Sequence, residues 1–209
     1  MYARYLKGAI DRTLASIGLV ALSPMLAVLG ALVWRKLGQP ILFKQVRPGL
    51  NGEPFTMIKF RTMRDAFGAD GEPLQDADRL TPFGAFLRAT SLDELPELWN
   101  VVRGDMSLVG PRPLLMRYLD RYTPDQTRRH DVRPGLTGLA QVSGRNALTW
   151  EDKFAYDLWY VENHSFEVDI RILARTVLKV IQREGVDAGP GVTAHEFMGE
   201  ADNAHIHPN

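Results

Sequence analysis

The amino-acid sequence predicts an α/β protein that is mostly helical, contains a small β-hairpin and associates with a membrane through its N-terminal segment. Three observations support this prediction. An apolar run without a charged residue extends from Thr13 to Trp34. Two short runs of β-forming residues, at 41–46 and 55–60, flank a turn rich in Pro, Gly and Asn. Apolar residues recur at helical spacing in much of the remaining chain, and the 209 residues correspond to about one domain with an appendage.

The overall composition excludes several kinds of protein. The chain has 25 basic and 25 acidic residues, and this zero net charge argues against a general nucleic-acid-binding protein, so no nucleic-acid partner is expected. It contains no Cys, which rules out disulfides, thiolate metal sites and a Cys nucleophile. A mean hydropathy of −0.17 excludes a polytopic membrane protein but allows a single membrane segment.

The N-terminal apolar run is long enough to cross a bilayer as a helix and too long for a secretory signal peptide. Ser23-Pro24 lies near its middle. A Pro there removes one backbone hydrogen bond and kinks a helix, and the neighbouring Ser hydroxyl can donate to the carbonyl that loses its partner. Basic residues flank both ends, so the positive-inside rule places both ends in the cytoplasm; they are Lys7, Arg12, Arg35 and Lys36. The residues alone leave a re-entrant helix and a spanning helix open as alternatives.

Shorter elements are predicted after this segment. They are a β-hairpin at 41–60, a polar loop at 65–79, helices at 82–88, 91–102, 114–122, 149–161 and 165–184, and a loop with a short strand at 133–146. Ser91, Thr149 and Ser165 are the predicted N-caps of three of these helices. The chain is divided into a membrane helix at 1–38, a main domain at 39–186 and a loosely ordered tail at 187–209.

The helix predicted at 165–184 is amphipathic. Basic residues follow one another at four-residue steps beside an apolar stripe, namely Arg171, Arg175, Lys179 and Arg183. This pattern is typical of a solvated face over a core stripe, and it also fits a helix that lies on an anionic membrane surface. Aromatic residues in the preceding helix favour membrane interfaces but pack equally well in a core. Interfacial amphipathic helices are therefore an expectation for this fold.

The stretch from Ser91 to Leu98 contains the most informative polar residues. Ser91 and Glu94 have the spacing of a capping box, in which acids merely stabilise the first turn of a helix. The same geometry suits catalysis, because the amides at a helix N-terminus keep a carboxylate ionised and attract phosphate. Asp93 and Glu94 would point about 100° apart on an α-helix. One carboxylate can then face a phosphorus atom while the other serves a metal or a proton.

Basic residues recur in the turns around this helix, at Lys59, Arg61, Arg88, Arg112 and Arg145. Each alone is typical of a surface ion pair, but together with a membrane segment they indicate an anionic phosphate substrate at the bilayer surface. Arg112 lies between Pro111 and Pro113, whose fixed φ stiffens its presentation, and a guanidinium can bind two phosphate oxygens at once. The sequence has no P-loop, G-x-G-x-x-G, G-x-S-x-G or H-E-x-x-H motif.

Five longer motifs are specific enough to suggest a family. They read FKQVRPG at 43–49, KFRTM at 59–63, SLDELPEL at 91–98, GDMSLVGPRP at 104–113 and VRPGLTG at 132–138. With these motifs the chain resembles the bacterial sugar transferase family, and within it the small monotopic phosphoglycosyl transferases. The resemblance extends from about Tyr5 to Gly199. Around Arg145-Asn146 and Lys153-Phe154 it is most similar to enzymes that initiate bacillosamine-type glycan assembly.

The resemblance implies a reaction and the residues that perform it. A sugar 1-phosphate moves from a UDP-sugar to polyprenyl (undecaprenyl) phosphate, UMP is released, and membrane-linked glycoconjugate assembly begins. Asp93 is implied to be the nucleophile that forms a covalent phosphosugar intermediate, with Glu94 as its partner and Mg²⁺ as the cofactor held by both carboxylates. The five basic residues are expected to bind substrate phosphates. Four further residues are expected to shape the site, namely Pro111, Pro113, Gln141 and Asn146.

The resemblance also implies that the segment at Ser23-Pro24 is re-entrant and that the protein is monotopic, on the cytoplasmic face of the bacterial inner membrane. Membrane lipids and downstream membrane glycosyltransferases are the expected partners. Two alternatives stay open. A membrane-bound metal-dependent phosphohydrolase would release its product to water, and a non-catalytic membrane scaffold would turn over nothing. Incubation with a UDP-sugar, Mg²⁺ and polyprenyl phosphate separates the three.

Overall fold

Two small sheets and a series of helices form the fold, and one helix is much longer than the rest. The computed structural model describes residues 2, 6–68, 71–72, 74–144, 147–182 and 196–199. The helices are α1 (Lys7–Leu37), α2 (Asp76–Arg79), α3 (Pro82–Ala89), α4 (Leu98–Arg103), α5 (Pro124–Thr127), α6 (Leu139–Ser143), α7 (Trp150–Asn163) and α8 (Phe166–Gln182). The 3₁₀ helices are Leu50–Gly52, Leu92–Glu97, Met116–Arg121 and Arg128–His130, and the strands are β1 (Leu42–Pro48), β2 (Pro54–Phe60), β3 (Ser107–Val109) and β4 (Gly135–Thr137).

The predicted β-hairpin is confirmed, because β1 and β2 pair antiparallel over their whole length. Asn100 of α4 connects this hairpin to α4. Its Nδ2 donates to the carbonyl of Thr56 at 2.7 Å, and its Oδ1 accepts from the amide of Ile58 at 3.2 Å. A second, parallel pair joins β3 to β4. The sequence predicted a short strand at β4 but not its partner.

Helix α1 extends through Pro24 and lies along the main domain. Its buried residues form one stripe, namely Lys7, Asp11, Ala15, Leu29 and Val33. Much of the remaining surface is apolar and exposed, including Leu14, Ile17, Val20, Val28 and Trp34. Among the described residues, α1 is the one helix long and apolar enough to cross a membrane, with a mean hydropathy of 2.2 in its apolar part.

Ser23 supplies the backbone hydrogen bond that Pro24 cannot make. Pro24 has no amide hydrogen to donate to the carbonyl of Val20, four residues earlier. Ser23 Oγ donates to that same carbonyl at 2.8 Å. The hydroxyl thereby replaces the hydrogen bond that proline removes, which matters most where water is excluded.

Both ends of α1 are fastened to the main domain. At its N-terminal end, Lys7 Nζ donates to Asp169 Oδ2 of α8 at 2.6 Å. One turn later, Asp11 Oδ2 accepts from the hydroxyl of Ser107 in β3 at 2.5 Å. At the C-terminal end, the guanidinium of Arg61 donates to the carbonyl of Leu37. These contacts and the buried stripe fix the position of α1 on the domain.

The prediction of a single helix from Ser91 to Val102 is wrong. The chain forms a 3₁₀ helix, Leu92–Glu97, and α4 follows it. Pro96 accounts for the difference, because it has no amide hydrogen for an α-helical hydrogen bond to residue 92 and its ring would collide with that carbonyl. The capping box is also not formed, since Ser91 has a φ of 54° and its side chain makes no capping hydrogen bond.

The other predicted helices largely agree with the structure. The short helix at 82–88 is α3, while Thr149 and Ser165 cap α7 and α8 through their side chains. The helix expected at 114–122 is a 3₁₀ helix, and α6 was not predicted. Arg183 and most of the predicted tail lie outside the described residues. Residues 196–199 of that tail are described, and they pack against the main domain through Phe197.

Candidate active site

The 3₁₀ helix Leu92–Glu97 brings three carboxyl groups into a short stretch of chain. Asp93 is 4% exposed and Glu97 is 1% exposed, whereas Glu94 is partly buried. Because a 3₁₀ helix has three residues per turn, Glu94 and Glu97 lie on the same side of it. The helix packs against β2 and α3, and both of these elements carry basic residues near their C-terminal ends.

Three of the five predicted phosphate-binding residues are brought to these acids. Lys59 lies near the end of β2, Arg88 near the end of α3, and Arg112 follows β3. Arg112 forms an ion pair with Glu94, and Arg88 Nε donates to Thr62 Oγ1 at 3.0 Å. The positive charges of all three act on Asp93.

Asp93 is a buried carboxylate under opposing electrostatic influences. Burial raises its pKa to about 6, and the negative charge of Glu94 acts in the same direction. The charges of Lys59, Arg112 and Arg88 lower the pKa. At neutral pH the carboxylate is therefore mostly ionised and poorly solvated. Such a group is suited to attack an electrophile whose negative charge is neutralised by these three basic residues.

Glu97 is a third acid of the site, and it was not predicted from the sequence. Burial raises its pKa to about 8, and the charge of Glu94 adds to this effect. Its Oε1 is buried and has no hydrogen-bond partner among the described residues. At neutral pH Glu97 therefore keeps its proton for most of the time. The sequence feature that could have identified Glu97 is Pro96, because a proline inside the turn favours the 3₁₀ geometry that aligns residue 97 with residue 94.

Lys59 has a perturbed ammonium group whose charge interacts with Asp93. Burial lowers the pKa of Lys59, and the carboxylate of Asp93 opposes this shift. Its cross-strand partner in the hairpin is Phe43, whose ring centroid lies 5.7 Å from Lys59 Nζ. The aromatic ring supports the ammonium group through a cation–π contact.

The segment Pro111–Pro113, here termed the Arg112 strap, is held by hydrogen bonds at three successive carbonyls. The carbonyl of Pro111 accepts from the Gly135 amide at 3.0 Å, that of Arg112 from Arg129 Nη2 at 2.7 Å, and that of Pro113 from Arg47 Nη1 at 3.3 Å. Both prolines are buried. The ion pair with Glu94 raises the pKa of Arg112 further. The guanidinium is thus presented from a rigid backbone.

The remaining predicted residues have other surroundings. The guanidinium of Arg61 is engaged by the Leu37 carbonyl and by Asp65, whose Oδ2 lies 2.8 Å from Arg61 Nη1. These contacts do not favour its predicted role in phosphate binding. Gln141 lies on α6 and donates from Nε2 to the Leu136 carbonyl at 3.3 Å. Arg145 and Asn146 lie outside the described residues, so their roles stay predictions.

The donor chemistry of this site fits magnesium. In the part of the chain that the structure describes, no group of three or more His, Asp or Glu residues forms a ready-made metal cage. Mg²⁺ is commonly held by one or two carboxylates together with substrate phosphates, so a full protein cage is not required. Asp93 and Glu94 are adjacent carboxylates whose mutual repulsion contributes to the raised pKa of Asp93. A shared cation would relieve that repulsion.

Known proteins similar to this chain are sugar transferases. The bacterial sugar transferase family model matches residues 2–183. The uncharacterized sugar transferase EpsL of Bacillus subtilis is 52% identical over 197 residues, which are 94% of this chain and 98% of that protein. The UDP-galactose-lipid carrier transferase of Erwinia amylovora is 41% identical over 88% of this chain, but this chain spans 42% of its length. The UDP-glucose:undecaprenyl-phosphate glucose-1-phosphate transferase of Caulobacter vibrioides is 40% identical, over 82% of this chain and 68% of its own.

These matches cover enough of the chain to show which family it belongs to. The family model covers most of the chain, and the Bacillus subtilis relative matches almost end to end. The family-level resemblance first drawn from the five motifs is thereby confirmed, and this chain belongs to the bacterial sugar transferase family.

Proposed function

We propose that the protein transfers a sugar 1-phosphate from a UDP-sugar to polyprenyl phosphate and releases UMP. The buried carboxylate of Asp93, within the charges of Lys59, Arg88 and Arg112, is the observation that carries the proposal. The names of two relatives support the substrate class. One is a UDP-galactose-lipid carrier transferase, and the other is a UDP-glucose:undecaprenyl-phosphate glucose-1-phosphate transferase. The lipid-linked product would begin membrane-linked glycoconjugate assembly and be passed to downstream membrane glycosyltransferases.

The proposed reaction consists of two displacements at one phosphorus atom. A carboxylate oxygen of Asp93 attacks the phosphorus that carries the sugar, and the bond from this phosphorus to the bridging diphosphate oxygen breaks. UMP leaves with the electron pair of that bond. An oxygen of polyprenyl phosphate then attacks the aspartyl phosphosugar, which restores the carboxylate and yields the lipid-linked sugar diphosphate. No further co-reactant is needed.

The charged residues around Asp93 make the first displacement possible. An anionic nucleophile is repelled by an anionic diphosphate unless the phosphate charge is neutralised. Arg112 presents a planar pair of donors that suits two phosphate oxygens, and its ion pair with Glu94 orients it before substrate arrives. Lys59 and Arg88 bring additional positive charge to Asp93.

Asp93 and Glu94 are also the residues that would hold Mg²⁺ together with substrate phosphates. When bound, the ion would supply charge neutralisation for the diphosphate and the departing UMP. Glu97, which keeps its proton at neutral pH, adds no negative charge to this pair. The two acids that precede Pro96 can therefore act without a third anion beside them.

We further propose that the protein is monotopic, with α1 re-entrant at Ser23-Pro24 and the main domain on the cytoplasmic face of the bacterial inner membrane. A helix that crossed the bilayer would carry one end away from a domain on one side. The burial of α1 residues near both of its ends and the fastening of those ends to the main domain support the re-entrant geometry. Exposed apolar residues of α8, beside Arg171 and Arg175, support an interfacial helix; they are Phe166, Ile170, Val177, Leu178 and Ile181.

The test of this function is to trap the covalent intermediate. The enzyme in nanodiscs is incubated with Mg²⁺ and each of several UDP-sugars in the absence of polyprenyl phosphate. Peptide mass spectrometry is expected to show a phosphosugar adduct on Asp93, with release of one equivalent of UMP. Subsequent addition of polyprenyl phosphate should discharge the adduct to a lipid-linked product.

Matched variants and products distinguish the alternatives. Asp93→Asn should form no adduct, whereas Asp120→Asn, which alters an exposed carboxylate, should behave as wild type. Release of sugar phosphate to water without an acceptor would indicate a phosphohydrolase. Absence of any UMP release with every sugar would indicate a scaffold. An adduct on another residue would overturn the assignment of Asp93.

A further inference from the structure

The described end of the C-terminal tail is inserted into an aromatic cluster. Phe197 is 5% exposed, and its ring centroid lies 5.1–5.7 Å from four others. These four rings, here termed the aromatic cluster, belong to Tyr118, Tyr122, Trp150 and Phe154. Edge-on and tilted packing at such distances stabilises an aromatic group beyond its buried area. Phe197 therefore completes a core that 3₁₀ helix Met116–Arg121 and α7 leave open.

Polar contacts fix the same segment in one position. Glu196 forms ion pairs with Arg117 and Arg121, each at 2.8 Å. Arg121 Nη1 also donates to the carbonyl of Phe197 at 2.5 Å, and the amide of Phe197 donates to Tyr118 Oη at 3.3 Å. The segment is thus bound through its backbone as well as its side chains. Nonspecific apolar attachment would not produce this arrangement.

A continuous set of contacts connects Phe197 to the candidate active site. The guanidinium of Arg129 lies 5.9 Å from the ring centroids of both Tyr122 and Phe154. Arg129 is buried and paired with Asp157 at 2.7 Å. Its Nη2 donates to the carbonyl of Arg112 at 2.7 Å. The aromatic cluster thereby packs against the side chain that holds the Arg112 strap.

We propose that Phe197 is a positioning residue for Arg112, because it fills the aromatic cluster that holds Arg129 against the Arg112 carbonyl. This inference rests on the proposed function in one respect, namely that Arg112 binds the diphosphate of the UDP-sugar. Removal of the Phe197 ring would leave a space between four rings, and the surrounding side chains would relax into it. Arg129 would then lose its fixed place, and the Arg112 guanidinium would be less well oriented before substrate binds.

The experiment compares Phe197→Ala with wild type in the full-length enzyme with Mg²⁺. We expect KM for the UDP-sugar, and Kd for UDP by calorimetry, to rise by about three- to thirtyfold, the range for coupling through packed side chains. Phe197→Leu should recover part of this loss. Phe67→Ala, the same substitution at a 63% exposed position, should change neither constant. A merely structural role would instead lower the active fraction, and hence the apparent kcat, with KM and Kd unchanged.

A double mutant tests whether the effect passes through Arg112. In the Arg112→Ala background, Phe197→Ala should cause no further rise in KM, because coupled residues are not additive. Full additivity would overturn the inference. If Arg112→Ala alone left KM unchanged, the assignment of Arg112 in the proposed function would fail instead. Should Phe197→Ala fail to fold, Glu196→Gln loosens the same segment, and an unchanged KM in that variant would also refute the inference.

Discussion

Asp93→Asn is expected to abolish activity and, at the same time, to stabilise the fold. The reason lies in the buried charge. Burial and the neighbouring Glu94 raise the pKa of Asp93 from 3.8 to about 6. Each pKa unit corresponds to about 1.4 kcal/mol, so a shift of roughly two units makes the ionised carboxylate cost the folded state roughly 3 kcal/mol. Asn has nearly the same shape and carries no charge.

The pH dependence of this gain follows from the direction of the shift. A folded-state pKa above the unfolded value means that the folded protein binds the Asp93 proton more tightly, so this contribution to stability is lost as pH rises from about 4 through about 6. The free energy of unfolding of Asp93→Asn should therefore exceed that of wild type by about 1–3 kcal/mol at pH 8 and by little at pH 4. For a chain of this size, the difference at pH 8 corresponds to about 3–10 °C in Tm.

Thermal melts followed by Trp fluorescence in nanodiscs at pH 4, 6 and 8 measure this effect. Asp120→Asn, at an exposed carboxylate, should leave Tm unchanged at all three values. UMP release from the same preparations gives the activity. A lower Tm for Asp93→Asn at pH 8 would refute the reasoning, because it would mean that the carboxylate stabilises the turn and that its charge is well compensated.

Three further predictions concern the candidate active site and helix α1. Arg112→Lys keeps the charge but not the planar pair of donors, so kcat/KM for the UDP-sugar, measured as UMP release, should fall by about tenfold or more; wild-type activity would contradict bidentate binding. Glu97→Gln should keep the rate of UMP release at pH 7 within about threefold of wild type. The wild-type rate is expected to decline at alkaline pH as Glu97 ionises near its pKa of about 8, and Glu97→Gln should remove that decline. Identical pH–rate profiles for the two proteins would contradict this prediction. Single Cys residues at positions 3 and 39, in a chain without native Cys, should both react with an impermeant maleimide from the cytoplasmic side; reaction from opposite sides would show that α1 spans the bilayer.

The features that could be predicted from the sequence are those set by local chemistry. The hairpin was predictable because β-forming runs flank a turn cluster, and its register follows from that turn. The stiff presentation of Arg112 was predictable because prolines on both sides restrict φ. The Ser23 hydroxyl was expected to replace the hydrogen bond that Pro24 removes, and it donates to the carbonyl concerned. Each of these inferences needs only a few neighbouring residues.

The features that could not be predicted depend on contacts between distant segments. Glu97 resembles an exposed helix acid in the sequence, and it is buried because β2 and α3 pack against its turn. Arg61 lies two positions after Lys59, so strand periodicity would place both on one face. The strand ends at Phe60, however, and Arg61 then contacts α1. Arg129 and Phe197 act through packing that no single motif contains.

Three consecutive residues, the last two of β2 and the one that follows it, couple α1 to the candidate active site. The charge of Lys59 acts on Asp93, Phe60 packs in the same cluster as Leu29 and Val33 of α1, and Arg61 binds the carbonyl at the end of α1. A shift of α1 relative to the 3₁₀ helix Leu92–Glu97 would have to disrupt all three sets of contacts together.

The height of Asp93 relative to α1 is consequently set by the fold and not by substrate binding. In the proposed reaction this matters for the second substrate. A polyprenyl chain stays in the bilayer, because each buried methylene group contributes about 0.8 kcal/mol, so the phosphate of this substrate is confined to the membrane surface. A nucleophile held at a constant position relative to α1 can meet that phosphate without lifting the lipid. The sequence of Lys59, which acts on Asp93, followed by Phe60 and Arg61, which contact α1, is the structural means of keeping that position constant.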